Sequence, residues 1–252
     1  MKCTILVAGM ILDLCSGQGS FLEGVARLLR GRDVSRYQMI LRRNPDQRHK
    51  RIFNLIAPVY SLLDSYVKRN FNKAIHRVKS ITELKDKSIL DIGTGTGAWA
   101  SLFLENGANK VHALDFAENM VRVANKRYGD VINFSLADAE NLNEFRYDSF
   151  DIVTASFVLH GVNEDKRARI LSEMKRISKD LVIIHDYYGY TAPFTRFLEH
   201  LEKSDYIHFK GNFCNELSDI FPFVGKEILS NGSAIYLGAK YKDIREFKSE
   251  RL

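Results

Sequence analysis

From Ser88 onward, short apolar runs alternate with amphipathic segments along the chain. Several of these runs are typical of strands that are covered on both faces of a sheet. They lie at 88–93, 110–115, 131–136, 150–156 and 181–185, with helical spacing at 98–106, 117–128 and 163–178. Two further strand-like segments, 224–229 and 234–239, flank an Asn-Gly turn and predict an antiparallel hairpin. This alternation predicts an α/β fold with a doubly wound, mostly parallel seven-stranded sheet and an antiparallel closing strand.

The same pattern divides the chain into parts. An amphipathic helical stretch precedes the first of these strands, and a charged segment follows the last one. The predicted parts are a basic N-terminal extension with a βα unit (1–50), an N-terminal helical cap (51–87), the sheet domain (88–241) with an aromatic-rich insertion (186–223), and a charged tail (242–252). The turn signal Asn44-Pro45-Asp46 favours a boundary before the cap.

The composition indicates the class of protein. The 252 residues suit one α/β domain with an extension, and 45% hydrophobic with 27% charged residues is ordinary for a soluble globular protein. Cys3, Cys15 and Cys214 are far apart, so they predict neither a disulfide framework nor a metal site. No apolar run approaches the roughly 18 residues that a membrane span needs. We therefore expect a cytoplasmic protein without a metal ion.

The positive charge is concentrated in one segment. The net charge is +6, and residues 27–51 alone hold nine Lys and Arg against two Asp, a net charge of +7. Charge runs are usually solvated faces or connectors, and we interpret this segment in that way. Binding to nucleic acid or to an anionic surface is the alternative that we favour less. The sequence leaves the oligomeric state open.

The stretch Ser88–Ala100 combines a strand, a glycine-rich turn and a helix. The strand ends near Asp91, and the glycines at alternate positions are Gly93, Gly95 and Gly97. Such glycines let the backbone adopt positive φ and approach a ligand closely, while the helix offers its first N–H groups. Doubly wound folds hold nucleotide-like cofactors in this way. Because the turn also satisfies the dinucleotide pattern G-x-G-x-x-A, an NAD(P)-dependent oxidoreductase is an alternative.

A weaker copy of this stretch lies near the start of the sequence. Asp13, Gly17 and Gly19 stand where the later stretch has its acid and its last two glycines. The copy lacks a second strand and the later acids that a complete site needs. We interpret it as one βα unit, since a lone glycine motif is a weak signal.

Motifs beyond the glycine turn distinguish between the candidate cofactors. Asp91-x-Gly93-x-Gly95-x-Gly97 resembles the first motif of class I S-adenosylmethionine-dependent methyltransferases. Later segments resemble the family's further motifs, in the same order, at Asp115–Ala124, Ala137–Glu140, Phe150–His160 and Tyr236–Lys240. The resemblance covers residues 88–240 and implies a Rossmann-like methyltransferase fold with S-adenosylmethionine as the cofactor.

The helical cap extends the resemblance. Its segment Phe53–Leu63, which contains Ala57-Pro58 and Tyr60, is similar to the start of the type 11, ubiquinone/menaquinone-biosynthesis branch. In that branch the segment lies over the cofactor. The branch continues with an Asn…Ser-x-Gly pattern, where this chain has Asp64–Lys68, so the resemblance does not by itself predict a quinone substrate.

The resemblance also implies which residues bind the cofactor. S-adenosylmethionine has no phosphate, so its site needs acceptors for amines and hydroxyls rather than an anion clamp. Asp91 would hold the methionine end, Asp115 the ribose hydroxyls and Asp138 the adenine amino group. The implied residues are Tyr60, Asp91, Gly93, Thr94, Gly95, Gly97, Asp115, Phe116, Met120, Asp138, Ala139 and Ser156. For Asp115 the alternative is helix capping, and for Met120 it is core packing.

His160 is the candidate catalytic residue. It follows the fourth strand, beside the expected methyl position, and imidazole titrates near neutral pH. A base is needed only where the methyl acceptor loses a proton. The alternative for His160 is to position the substrate or to hydrogen-bond locally. His185 and Asp186, which end the fifth strand, are weaker candidates.

The function that the sequence predicts is methyl transfer to a small, partly apolar acceptor, through O, C or N. Aromatic residues crowd the insertion 186–223, and such clusters line apolar pockets, although an inserted helix also needs its own core. The alternatives are the oxidoreductase and an RNA or protein methyltransferase recruited by the basic segment. No Asn-Pro-Pro-Tyr motif follows the fourth strand, which argues against methylation of base amino groups.

Overall fold

A computed structural model describes most of the chain after residue 67. The described residues are 50, 53–54, 57, 68–69, 71–189, 204–229 and 232–241. Apart from Lys50, the basic segment 27–51 lies outside them, and so do the glycine copy at 13–19, Tyr60 and the predicted tail at 242–252. None of the helices within the described ranges combines the length and apolarity needed to cross a bilayer.

The strands and helices form in the order that the hydropathy pattern predicts. They are α1 (71–81), β1 (Ser88–Ile92), α2 (Ala98–Glu105), β2 (Lys110–Asp115), α3 (Glu118–Tyr128), β3 (Asn133–Leu136), β4 (Phe150–Ser156), a 3-10 turn (Leu159–Gly161), α4 (Glu164–Ile177), β5 (Ser178–Tyr187), α5 (Tyr206–Ile220), β6 (Phe223–Ile228) and β7 (Ser233–Ala239). The predicted fold class is therefore confirmed.

Two strands differ from the prediction by more than one residue at an end. β3 begins two residues late, because the N–H groups of Val131 and Ile132 donate to the carbonyl of Tyr128, at 3.0 and 2.8 Å, in the turn after α3. β5 runs from Ser178 to Tyr187 and so includes the exposed Lys179. Hydropathy identifies only the buried part of a strand. It therefore misses polar residues at strand ends, and it assigns apolar residues of a neighbouring turn to the strand.

The sheet order is β3-β2-β1-β4-β5-β7-β6. Strands β1 to β5 are parallel, while β7 pairs antiparallel with both β5 and β6 and is buried along its whole length. The order reverses at β1, which lies between β2 and β4. In doubly wound sheets ligands bind at the carboxyl ends of the strands beside such a switch point.

Alternate residues of β1 face two different cores. Ile89 belongs to the core that includes Phe71 of α1 and Trp99 of α2. Leu90 belongs to the core that includes Met174 of α4 and Leu217 of α5. Helices thus cover both faces of the sheet, which is why its central strands are continuous apolar runs in the sequence.

Residues 190–203 of the predicted aromatic insertion lie outside the described residues, and its described part at 204–220 packs against the sheet. Asp186 and Tyr187 belong to β5. On α5, Phe209 and Phe213 are buried with their ring centroids 4.3 Å apart, and the Phe213 ring lies 4.9 Å from that of Tyr236 on β7. The structure corrects the pocket-lining hypothesis for these side chains, because α5 needs them for its own packing against the sheet.

Candidate cofactor site

The turn between β1 and α2 requires its glycines. Gly93, Gly95 and Gly97 have φ values of 69°, 56° and 86°. A Cβ at Gly93 would come within 2.5 Å of the Val158 side chain, whereas a Cβ at Gly95 would meet no heavy atom within 4 Å. The backbone at Gly95 is therefore open to close approach by a ligand.

Asp91 and Thr94 place buried polar atoms at this turn. Asp91 is 0% exposed, and neither of its carboxylate oxygens has a hydrogen-bond partner among the described residues. The Thr94 hydroxyl is likewise unpartnered within that part of the chain. Burial raises the pKa of Asp91 to about 8; the nearby Thr94 hydroxyl offsets part of the rise, and the charge of Asp115 adds to it. Buried acceptors without a donor fit a ligand that brings an amine or a hydroxyl.

Asp115 joins the end of β2 to the glycine turn. Its Oδ2 accepts from the Gly95 N–H at 2.9 Å, and its Oδ1 accepts from the Ala117 N–H at 2.8 Å. Burial raises the pKa of Asp115 to about 6, and the backbone donors offset part of that rise. The bond to Ala117 is a local one at the start of α3, while the bond to Gly95 crosses between strands and shapes the turn.

Asp138 follows β3 at the same edge of the sheet. It is exposed, and its Oδ1 accepts from the Glu140 N–H at 3.1 Å. The Ala137 N–H donates to the Asp115 carbonyl at 3.1 Å and ties this loop to the end of β2, while Ala139 packs against the second core. The order β3-β2-β1 thus brings the three acids predicted from the sequence to adjacent strand ends.

Residues of the predicted cap contact the segment after β2. The rings of Phe53 and Phe116 meet edge to face at 5.8 Å. The backbone and side-chain nitrogens of Asn119 each donate to Asn54, at 2.7 Å. Met120 is buried in the first core, in keeping with its alternative packing role.

Ser156 and His185 form a hydrogen-bonded chain at the ends of β4 and β5. His185 Nδ1 lies 3.1 Å from Ser156 Oγ, and its Nε2 lies 3.0 Å from Ser233 Oγ. Burial lowers the pKa of His185 to about 4, and the charge of Asp186 offsets only part of the fall. Because both ring nitrogens are engaged and the lowered pKa makes the imidazole a weak proton acceptor, the structure disfavours His185 as a base.

The structure brings together His160 and Asp186, which the sequence presented as separate candidates. His160 is buried in the 3-10 turn after β4, and its Nδ1 lies 2.7 Å from Asp186 Oδ1. The local hydrogen bond considered as the alternative for His160 is therefore present. It engages Nδ1 of the imidazole.

Arg167 of α4 is a functional candidate that motif reasoning missed. Its buried guanidinium donates to the carbonyls of Leu159 and Val162, at 3.1 and 2.6 Å, and so holds the 3-10 turn. It also pairs with Asp205 and Glu216, each at 2.9 Å. The sequence contains a signal for this role. Arg167 stands three and four residues before Ile170 and Leu171, so it lies on the buried face of α4, where an arginine needs partners.

Comparison with known proteins shows what this chain resembles. The family described as a methyltransferase domain matches residues 89–180. A demethylmenaquinone methyltransferase of Renibacterium salmoninarum is 35% identical over 130 residues, which are 51% of this chain and 53% of that protein. The corresponding Thermotoga maritima protein is 32% identical over 132 residues, or 51% and 56%. A crystal structure of a SAM-dependent methyltransferase from Aquifex aeolicus aligns with a TM-score of 0.53 at 18% identity, over 66% of this chain and 88% of that one. By the family match, residues 89–180 form a methyltransferase domain.

The cofactor that the sequence predicts for this domain is S-adenosylmethionine. The unpartnered oxygens of Asp91 and Thr94 and the open space at Gly95 fit a ligand with amine and hydroxyl donors. The chain spans about half the length of the two relatives, and the likeness to the Aquifex structure shows the fold. The roles of individual residues remain predictions.

Gly95→Ala is expected to weaken binding of S-adenosylhomocysteine about tenfold, because the added methyl group enters the open space at the turn. The left-handed backbone costs alanine about 1 kcal/mol, so the fold should persist. Calorimetric titration and thermal unfolding measure the two effects. Gly211→Ala, at an exposed position of α5 with no neighbour for the new Cβ, is the control and should bind like the wild type. Unchanged affinity in Gly95→Ala would mean that the ligand does not approach this backbone.

Proposed function

We propose that this chain is a cytoplasmic enzyme that methylates a small, partly apolar acceptor of the demethylmenaquinone type. The observation that carries the proposal is the unpartnered, buried carboxylate of Asp91 beside the switch point of a methyltransferase sheet. The acceptor class is supported by the two relatives named as demethylmenaquinone methyltransferases. The three scattered cysteines favour a reducing compartment.

The acids at the three strand ends are assigned to the cofactor. Bound there, S-adenosylmethionine supplies an electrophilic methyl group on a sulfonium. Asp91 accepts from the methionine ammonium, Asp115 from the ribose hydroxyls and Asp138 from the adenine amino group. Each oxygen of Asp115 already accepts one backbone hydrogen bond and has the capacity for another.

Aromatic side chains surround the end of β4, where we place the acceptor. Phe157 has a φ of 53°, which is unusual for a residue with a side chain and is typical of functional positions. Its ring centroid lies 5.0 Å from that of Tyr187 and 6.2 Å from that of Phe71. Aromatic rings pack favourably against one another, so these side chains support an acceptor with a flat, apolar ring.

Transfer of a tritiated methyl group from S-adenosylmethionine to a short-tailed demethylmenaquinol tests this function. We expect label in the extracted quinone at least about a hundredfold above a reaction without protein, since positioning and exclusion of water account for much of such catalysis. An RNA of mixed sequence is the comparison acceptor. Calorimetric binding of S-adenosylhomocysteine without transfer to the quinol would reject this acceptor class, and transfer to the RNA alone would favour the macromolecular alternative.

A further inference from the structure

We propose that Glu140 is a positioning residue whose ion pairs with α4 hold the loop after β3, so that Asp138 binds a purine amino group selectively. This inference rests on the proposed function, which assigns Asp138 to the adenine amino group. It adds to that assignment the residues that determine the preference for adenine.

The connection from β3 to β4, residues 137–149, contains neither a helix nor a strand. Parallel strands are usually joined by a crossover that contains a helix, which supplies its own backbone hydrogen bonds. This connection is held by other elements instead. Its first residue, Ala137, donates to the Asp115 carbonyl, and Leu142 is fully buried in the second core. The conformation of the loop therefore depends on the elements that it contacts.

One side of α4 faces this loop. Four charged residues stand three, four and three positions apart along the helix and therefore lie on one stripe, and they are Lys166, Arg169, Glu173 and Arg176. Arg176 donates to the carbonyls of Leu142 and Phe145, at 3.0 and 2.8 Å. Glu173 accepts from the Leu142 N–H at 3.2 Å. The stripe thus holds the second half of the loop through its backbone.

Glu140 connects the first half of the loop to the same stripe. Its carboxylate pairs with Lys166 Nζ at 2.9 Å and with Arg169 Nε at 2.5 Å. Burial tends to raise the pKa of Glu140, but the hydrogen bonds and charges of these two cations outweigh it and hold the pKa below its usual range. The carboxylate is therefore ionised at neutral pH and fixed against α4.

Glu140 is also bonded directly to Asp138. The Glu140 N–H donates to Asp138 Oδ1 at 3.1 Å, and the Asn141 N–H donates to the Asp138 carbonyl at 3.0 Å. In a turn of this kind the position of Glu140 determines the direction of the Asp138 side chain. Asp138 is exposed, and its carboxylate has the capacity for further hydrogen bonds. A ligand can therefore reach it.

The chemistry of this carboxylate defines what it recognises. An ionised carboxylate only accepts hydrogen bonds, so Asp138 favours a purine whose exocyclic group is an amino donor. A site that holds an acceptor in place discriminates against an analogue without the donor. An acceptor that must first be ordered gains less from the same hydrogen bond. The pairs of Glu140 should therefore determine the preference for an amino purine, rather than the affinity for the rest of the ligand.

Calorimetric titration with two probes tests the inference. The probes are S-adenosylhomocysteine and its analogue in which hydrogen replaces the exocyclic amino group. We expect the wild type to bind S-adenosylhomocysteine about tenfold more tightly than the analogue, since the analogue lacks one charge-assisted hydrogen bond. In Glu140→Gln this ratio should fall to about threefold, while the affinity for the analogue stays within about twofold of the wild type. The difference in ratio should shrink in about 1 M salt, which screens partly exposed ion pairs.

Glu227→Gln is the matched control. Glu227 is also ion-paired, with Arg77, and its side chain is 24% exposed, against 22% for Glu140. It lies on β6, at the opposite edge of the sheet from β3, so this variant should keep the wild-type ratio. The double variant Lys166→Met/Arg169→Met removes the same pairs from the side of α4. It should lower the ratio as Glu140→Gln does, and combining the three substitutions should lower it no further.

A wild-type ratio in Glu140→Gln, or equal falls in Glu140→Gln and Glu227→Gln, would overturn this inference. Equal binding of the two probes by the wild type would overturn the assignment of Asp138 and the inference with it. Failure of the proposed acceptor would appear differently, as absent methyl transfer to the quinol with the ratio and its dependence on Glu140 intact.

Discussion

Asp91→Asn is expected to weaken S-adenosylhomocysteine binding about 100-fold while making the unliganded protein more stable at alkaline pH. The affinity falls because the ligand ammonium loses a charged acceptor, and hydrogen bonds to charged groups contribute about 1.5–3 kcal/mol. The stability rises because Asp91 has no partner for its buried oxygens among the described residues, so its ionised form opposes folding.

The sign of the pH dependence follows from the pKa of Asp91. Burial raises it from 3.8 to about 8, so the folded state holds a proton that the unfolded state releases between these two values. The free energy of unfolding of the wild type therefore falls as the pH rises through this window. Asp91→Asn lacks this contribution, and its advantage over the wild type should grow by about 2 kcal/mol between pH 6 and pH 8.

Urea unfolding at several pH values measures the stability of Asp91→Asn, and calorimetric titration measures its affinity for S-adenosylhomocysteine. Asp130→Asn, which removes an exposed carboxylate, controls for the loss of one negative charge. If the difference in unfolding free energy between Asp91→Asn and the wild type stays constant with pH, burial of the ionised Asp91 carboxylate does not oppose folding. Wild-type affinity in Asp91→Asn would remove this carboxylate from the cofactor site.

Arg167→Met is expected to lower the free energy of unfolding by about 3 kcal/mol. The guanidinium pairs with Asp205 and Glu216, and its removal leaves two partly buried carboxylates and two carbonyls without their donor. Removing one partner of a buried ion pair costs about 3–5 kcal/mol. Because the Asp205 side chain is still 27% exposed, we expect a loss at the lower end of this range.

Arg169→Met is the matched control on the same helix. The Arg169 side chain is 58% exposed and pairs with Glu140 at the surface, so its loss should cost less than about 1 kcal/mol. Denaturant unfolding compares the two variants. Equal losses would show that the ion pairs of Arg167 are no more stabilising than a surface pair.

The order of the elements could be predicted because each strand is an apolar run with a definite end. Ile89–Ile92 is continuous and apolar apart from Asp91, since helices cover both faces of β1. The acids predicted for the cofactor lie at or just beyond such ends, and the parallel sheet brings them to one edge. The family motifs supplied their proposed roles.

The hydrogen-bond partners could not be predicted in this way. His160 and Asp186 are 26 residues apart, and Arg167 and Glu216 are 49 residues apart. These pairs form because β4 lies beside β5 and α4 packs against α5, which hydropathy along one segment does not reveal. An arginine in an apolar stripe or an acid at a strand end signals that a partner exists, without naming it.

The position of β7 has a consequence for folding during synthesis. β7 is the last described strand along the chain, yet it lies between β5 and β6. Until residue 239 has left the ribosome, the β7-facing edge of β5 has no partner from this sheet. Open edges of apolar strands pair with other chains, and slow long-range pairing prolongs that exposure. The sheet therefore closes only after translation of β7, and truncation before this strand would leave a nascent chain prone to aggregation.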